Sequence, residues 1–441
     1  MAATETAPAA AAARGDAALA RQTFQRLRNH MSPALALSGK FAGQGEVEVV
    51  GEGCEVRLSG GRRALDFGSY AVALLGHRYP AVVDAVRAQL TAMPVSTRTL
   101  SSPPMARAAE DVTAYLGAPA LRRVYFGTNG ADAVEVAIKL ARLVTGRATV
   151  AAVRGAYHGK TMGALALTSH ERFRDGLQGL LDGVLHLDPD DPDAVREAAG
   201  SGLAALVFEP IQGENGVAEL RPEVLARWTA DAREAGAFVI ADEIQVGLRR
   251  AGERSLALHA GLPVDAVLLG KPLGGGVVPV SAAVCTDELY APLLADPFRH
   301  TATFGGQPLC MAAVPPALAA IEEHADRGTH VAQLLGAGLD ALRVRFPGVL
   351  TDVRGRGLIR GLDFATPEHA GEVVVGLAQR GLLVSPCLSR PETLRLLPPM
   401  IASDDEVALA LDRLAGAVEQ ARDTVGDTAP RTADVAGEER A

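Results

Sequence analysis

Reactive side chains cluster just past the ends of apolar runs. Tyr157-His158, Glu209, Asp242 and Lys271 each follow such a run. The runs are Thr149 to Val153, Ala204 to Phe208, Ala237 to Ala241 and Ala266 to Leu269, and they read as strands. In open α/β sheets ligands bind beyond the carboxyl ends of strands. Four such places together point to one site assembled from several loops. Lys271 precedes Pro272-Leu273-Gly274-Gly275-Gly276. Pro272 biases Lys271 toward an extended backbone, and the glycines let the chain bend tightly. A lysine held there with a lowered pKa is a nucleophile toward an aldehyde; the plainer alternative is a solvated lysine at a strand end. Asp242 closes an apolar strand, where its carboxylate needs a cationic partner or a role as a helix N-cap. Asn129-Gly130-Ala131 opens a helix and offers amide hydrogens to a phosphate, or is an ordinary helix cap.

The elements that must position these groups follow from the same patterning. Arg123 to Phe126 is a short strand, followed by a turn at Gly127-Thr128-Asn129-Gly130. The helix after it carries Ala133, Ala137, Leu140, Ala141 and Val144 at three- and four-residue steps. Asp132 and Glu135 sit in its first turn, where the helix dipole favours acids. The strands are continuously apolar, as expected when helices cover both faces of a mostly parallel sheet. From about Gly336 the pattern changes. A turn at Gly355-Arg356-Gly357 leads to strand candidates at Leu358 to Phe364 and Leu382 to Ser385. A helix capped by Ser403 and Glu406 ends this second, smaller α+β domain.

Length and charge narrow the function. The chain has 441 residues, 48% of them hydrophobic, which suffices for two or three domains with a large core. Its net charge of −9 and the absence of a basic run speak against nucleic-acid binding. No apolar stretch is long enough for a membrane span, and the start lacks a secretory pattern. Four scattered cysteines, Cys54, Cys285, Cys310 and Cys387, read as reduced thiols of a cytoplasmic protein. No metal-ligand spacing is present. Gly43-Gln44-Gly45 and Gly355-Arg356-Gly357 lack the third glycine of a dinucleotide fingerprint, and no Walker motif exists. The first 20 residues, rich in Ala, and residues 426–441 read as disordered tails.

Taken in order, these blocks resemble the class III pyridoxal-phosphate aminotransferases, of fold type I. The resemblance runs from about Leu65 to Val418. It rests on Gly76-His77 with Pro80, Gly130 to Arg142, Tyr157-His158-Gly159, Glu209-Pro210-Ile211-Gln212-Gly213-Glu214 and Asp242-Glu243-Ile244-Gln245. Gly270-Lys271 with Gly274 to Gly276, Thr303-Phe304-Gly305-Gly306 and Arg395-Leu396-Leu397-Pro398-Pro399 complete it. It implies a large cofactor-binding α/β domain over 76–335 and a small domain built from 21–75 and 336–425. It also implies pyridoxal 5'-phosphate held by Lys271 as a Schiff base. Asp242 would pair with the ring nitrogen and keep the ring an electron sink. Gln245 would bond the ring hydroxyl, and Tyr157 would stack on the ring with His158 beside it. Gly130 and Ala131 would bind the phosphate, and Thr303 would reach it from a partner subunit in a homodimer. Glu209 would support the aspartate region.

The same resemblance implies how two substrates share one pocket. Arg395 would clamp the carboxylate of 2-oxoglutarate, and Glu214 would mask it while a terminal-amine donor reacts. Tyr70 would lie on the substrate side. Departures from the family pattern are Asn129-Gly130-Ala131 for Ser-Gly-Thr, Lys160 for an arginine, Pro272 for a small residue, and Leu248-Arg249-Arg250-Ala251 for an aromatic-containing turn. The blocks around His300 to Phe304 and Tyr157 to Lys160 are closest to enzymes acting on putrescine, ornithine, acetylornithine and 4-aminobutyrate. The expected activity is a ping-pong aminotransferase, with a cofactor-bound aminomutase of the same fold as the alternative. A nicotinamide dehydrogenase and a silent binding module are disfavoured, the first by the missing fingerprint and the second by the intact Lys271, Asp242 and Gln245.

Overall fold

The computed structural model describes residues 6–426. Its centre is a seven-stranded sheet. In spatial order the strands are Arg123–Gly127, Ser281–Cys285, Ala266–Leu269, Phe238–Asp242, Leu203–Phe208, Thr149–Val153 and Val184–Leu187. All run parallel except Ser281–Cys285, which is antiparallel to both neighbours. Four of these strands are buried along their whole length. Successive side chains therefore serve opposite faces. Ile240 and Leu268 join Val134, Ala137 and Ile138 of the helix Gly130–Thr145 on one face. Val239, Ala241, Val267 and Leu269 join Trp228, Leu225 and Met311 on the other. Burying each large aliphatic side chain contributes roughly 1.5–3 kcal/mol, so this double-faced core fixes where the strand ends lie.

Two four-stranded sheets flank the centre, besides a two-stranded pair of Ile211–Gln212 and Ala218–Glu219. Glu48–Glu52, Glu55–Leu58 and Arg63–Asp66 form an antiparallel meander that is completed by the late strand Leu382–Leu383, parallel to Arg63–Asp66. Leu350–Arg354, Arg360–Phe364, Thr393–Leu396 and Ser385–Pro386 form the other, wholly antiparallel. The helices Pro367–Arg380 and Asp404–Val425 pack together beside them. The last helix begins with the capping box of Ser403 and Glu406 read from the sequence.

Three expectations need correction. Residues 6–20 are not a disordered tail: a helix spans Thr6–His30. An Ala-rich run has the highest intrinsic helix propensity, which outweighs its low complexity. Residues 1–5 and 427–441 of the two expected tails lie outside the described residues. The expected strand Leu382 to Ser385 is split at Val384, and its halves join different sheets. Lys271, expected to be extended, has φ +41° in a tight 3-10 turn with Pro272. Tertiary packing around Gly270 overrides the local bias.

Candidate active site

Five strand ends converge on a cavity of about 510 Å³ at the carboxyl edge of the sheet. Its wall contains Gly130, Ala131, Tyr157, His158, Glu209, Asp242, Gln245 and Lys271, together with Lys160 and Ile244. A larger hollow of 740 Å³ opens around Phe24, Leu37 and Lys40 at the N-terminal helices. It holds none of the reactive groups.

The floor of the cavity is a chain of buried ionisable groups. His158 Nδ1 lies 2.7 Å from Asp242 Oδ2. Burial opposes charge on His158, but the hydrogen bond and charge of Asp242, helped by Glu209, outweigh it and raise its pKa. Asp242 thus has a hydrogen-bonding partner in His158. Its other oxygen accepts from the Ile244 amide at 3.1 Å, a turn rather than a helix cap. Glu209 accepts from the Tyr157 amide at 2.7 Å. Burial pushes Glu209 up to about 7, with the charge of Asp242 adding to it and His158 opposing. Thr168 Oγ1 accepts from the His158 amide at 3.0 Å and fixes that loop. No motif singled out Thr168, which stands ten residues past His158 with no spacing signal.

Lys271 stands on the opposite side. Burial lowers its pKa, opposed by Glu214, while Arg395 pushes in the same direction as burial. Its amine therefore spends more time neutral, the form that attacks carbonyls. The positive φ of this non-glycine residue is strained backbone, which persists only where surrounding structure enforces it. At the third corner is the start of the 16-residue helix Gly130–Thr145. Asn129 and Asp132 form a capping box there. The Gly130 and Ala131 amides carry no hydrogen bond among the described residues. A Cβ at Gly130 would stand 3.0 Å from the Ile244 side chain, which would have to shift to admit it.

A second cluster adjoins Gln245. Arg395, wholly buried on Thr393–Leu396, donates through Nη1 to Glu214 Oε1 at 2.6 Å and to Gln245 Oε1 at 2.7 Å. Glu214 Oε2 also accepts from the Leu388 amide at 3.1 Å. Gly213 makes room for this cluster: a Cβ there would fall 1.8 Å from Gln245 Oε1. Arg395 Nε has no hydrogen-bond partner among the described residues. Gln245, expected at a ring hydroxyl, is in this structure engaged with Arg395.

Thr303 and Tyr70 lie outside the cavity wall. Thr303 is exposed, and its carbonyl accepts from Gln307 Nε2 at 2.6 Å. Tyr70 is exposed beside the rim, in the run Ser69–Ala71 where all three residues have positive φ. Lys160 Nζ sits 4.5 Å from the Phe173 ring centroid, and Tyr157 packs edge-on against the same ring.

A pyridine aldehyde phosphate fits these donors. The unpaired amides at the helix start suit a phosphate, the buried Asp242 suits a protonated ring nitrogen, and Lys271 suits an aldehyde. Sheet, lysine and aspartate define a fold type I pyridoxal-phosphate enzyme. Comparison with known proteins agrees. A profile described as aminotransferase class-III matches residues 47–418. A putrescine aminotransferase of Pectobacterium atrosepticum is 34% identical over 382 residues, covering 83% of this chain and 81% of that protein. Ornithine aminotransferase of Toxoplasma gondii superposes with a TM-score of 0.79 at 30% identity, over 86% of this chain and 91% of that one. An amine transaminase from an uncultivated Pseudomonas species gives 0.78 at 26% identity, over 85% and 95%. The chain belongs to the class III aminotransferases, and its cofactor is pyridoxal phosphate.

Proposed function

We propose that the enzyme moves a terminal amino group from a diamine or ω-amino acid to a keto acid such as 2-oxoglutarate. The two substrates would use the pocket in turn, by a ping-pong mechanism. The observation that carries this reading is the buried Arg395–Glu214 pair. An arginine with no exposure needs a counter-charge. Glu214 supplies it while an amine without a nearby carboxylate occupies the pocket. When a keto acid enters, its carboxylate takes over the fork of Arg395 and Glu214 turns away. The likeness to a putrescine and an ornithine aminotransferase supports the terminal-amine donor.

In this reading Lys271, Gly130, Ala131, Tyr157, His158, Glu209, Asp242 and Gln245 hold the cofactor. Bound pyridoxal phosphate supplies an electron sink for the charge left when a C–H bond beside the amine breaks. Lys271 Nζ, whose charged form burial disfavours, takes up and returns that proton. Asp242 holds a cationic ring nitrogen, with His158 orienting its carboxylate. Tyr157 and Phe173 shield one side from water. Thr303 serves the pocket of a partner subunit, which makes the working unit a homodimer. The enzyme acts in the cytoplasm, a placement supported by four free cysteines among the described residues. No helix there is long and apolar enough to cross a membrane.

The test is a panel of diamines, ω-amino acids and α-amino acids incubated with 2-oxoglutarate, reading glutamate. Glutamate from terminal amines is expected. Glutamate only from α-amino acids would overturn the donor assignment, and amine turnover without a keto acid would favour an isomerase.

A further inference from the structure

Arg250 is wholly buried, yet no carboxylate bonds it among the described residues. Carbonyls hold its guanidinium instead. Nη1 donates to Leu358 O at 3.2 Å and Pro398 O at 2.6 Å, and Nη2 donates to Ala71 O at 3.4 Å. Nε has no hydrogen-bond partner among the described residues. A charge buried on such terms is unfavourable unless the fold gains something by it.

The three carbonyls belong to three separate segments. Pro398 closely follows the strand that carries Arg395, and Leu358 closely precedes its neighbour Arg360–Phe364. Ala71 ends the run Ser69, Tyr70, Ala71, with φ of 41°, 49° and 67°. The segments also share an apolar cluster of Ala71, Val246, Ala251, Ile359 and Leu397. Gly357 presses onto the backbone beside Arg250, where a Cβ would lie 2.6 Å from the Ala251 carbonyl carbon.

Three successive left-handed non-glycine residues are strained and must be held. Asp66 holds the front of the run. It accepts from the Gly68 amide at 3.0 Å and from Ser69 Oγ, and His77 Nε2 braces it at 2.8 Å. Arg250 holds the back. The run packs against the turn Lys271–Gly274. It presents Tyr70, 65% exposed, near enough to Tyr157 for their charges to interact.

We propose that Arg250 is a positioning residue: through Ala71 and Pro398 it locks the strained Ser69–Ala71 run, and with it Tyr70, against the Lys271 turn in fixed register with Arg395. The assignment rests on the reading of Tyr70 and Arg395 as substrate groups. A lysine cannot replace Arg250, because a point charge does not reach three divergent carbonyls as a planar fork does.

The experiment compares Arg250→Lys, Tyr70→Ala and the double variant as purified holoenzymes, with putrescine and 2-oxoglutarate. Each single variant is expected to raise the KM for the amine at least about fivefold with kcat within about threefold, and the double variant is expected to add no more than about twofold. Multiplying effects, or a KM within twofold of the parent for Arg250→Lys, would overturn the proposal. If Arg250→Lys does not fold, Arg250→Gln replaces it. A single amide cannot reach all three carbonyls, so the same KM rise is expected. A KM within twofold of the parent would again count against the lock. Hydrogen exchange gives a readout that needs no substrate. Arg250→Lys or Arg250→Gln should speed exchange over residues 67–74 at least about tenfold, with the central sheet unchanged. Unchanged protection overturns the proposal even in an enzyme that transaminates nothing, an outcome that would itself refute only the proposed function.

Discussion

The two walls of the pocket are built on different principles. The cofactor wall stands on strand ends of the central sheet. Its groups brace one another directly, as His158 does Asp242 at 2.7 Å and Glu209 does the Tyr157 amide at 2.7 Å. The wall we propose for the substrate is drawn from outlying pieces: the run Ser69–Ala71, Glu214 between the short paired strands Ile211–Gln212 and Ala218–Glu219, and Arg395 on a flanking sheet. Its Arg395 and Glu214 pair with each other and, in the proposed reading, re-pair with a ligand. A fixed wall suits a cofactor that stays. An exchangeable wall suits two substrates of unlike charge that come and go.

Variants test that contrast. On the cofactor wall, Lys271→Ala should cost the most, on the order of 10³-fold or more in kcat, with both half-reactions lost together. Borohydride should then fix no cofactor on the peptide carrying position 271. Survival of either half-reaction alone would break the division. Asp242→Asn removes one partner of a buried pair that typically carries ~3–5 kcal/mol, so kcat should fall roughly 10²–10³-fold for every substrate alike. A loss confined to one substrate would move Asp242 to the other wall.

The substrate wall should respond selectively. Arg395→Ala is expected to raise the KM for 2-oxoglutarate about 30-fold or more, consistent with the ~2–5 kcal/mol carried by buried charge pairs, and to change the KM for a diamine less than about threefold. Equal effects would contradict the clamp. The smallest effect concerns pH. Burial raises Glu209 to about 7, above its unfolded value, so it favours the fold at low pH and that contribution is lost as pH rises through about 7. Glu209→Gln should therefore flatten the fall in Tm between pH 5 and 8 by a few degrees. A steeper fall would reverse the sign assigned to this carboxyl.

The two walls also differed in how legible they were in the sequence. Continuous apolar runs ending in reactive residues placed the strands and most of the cofactor wall, because strand ends and ligand chemistry coincide in such sheets. The Ser281–Cys285 strand gave no such signal, since it runs the other way and begins at the active edge. The substrate wall came only through family resemblance. Nothing local tells Arg395 that Glu214 will meet it from 181 residues away. Arg250 was noted merely as part of an unusual turn, and its buried placement depends on carbonyls from three distant segments. Gly355-Arg356-Gly357, set aside as a failed dinucleotide fingerprint, is instead the turn that closes over Arg250.

The short parallel ladder between Leu65-Asp66 and Leu382-Leu383 ties the beginning of the chain to its end. A ribosome delivers the early meander long before its fourth strand exists. That meander must wait with an open edge, a state prone to mispairing. The nascent chain can finish the central sheet in the meantime. Synthesis order thus supplies Arg395 last, after every strand of the central sheet has been made.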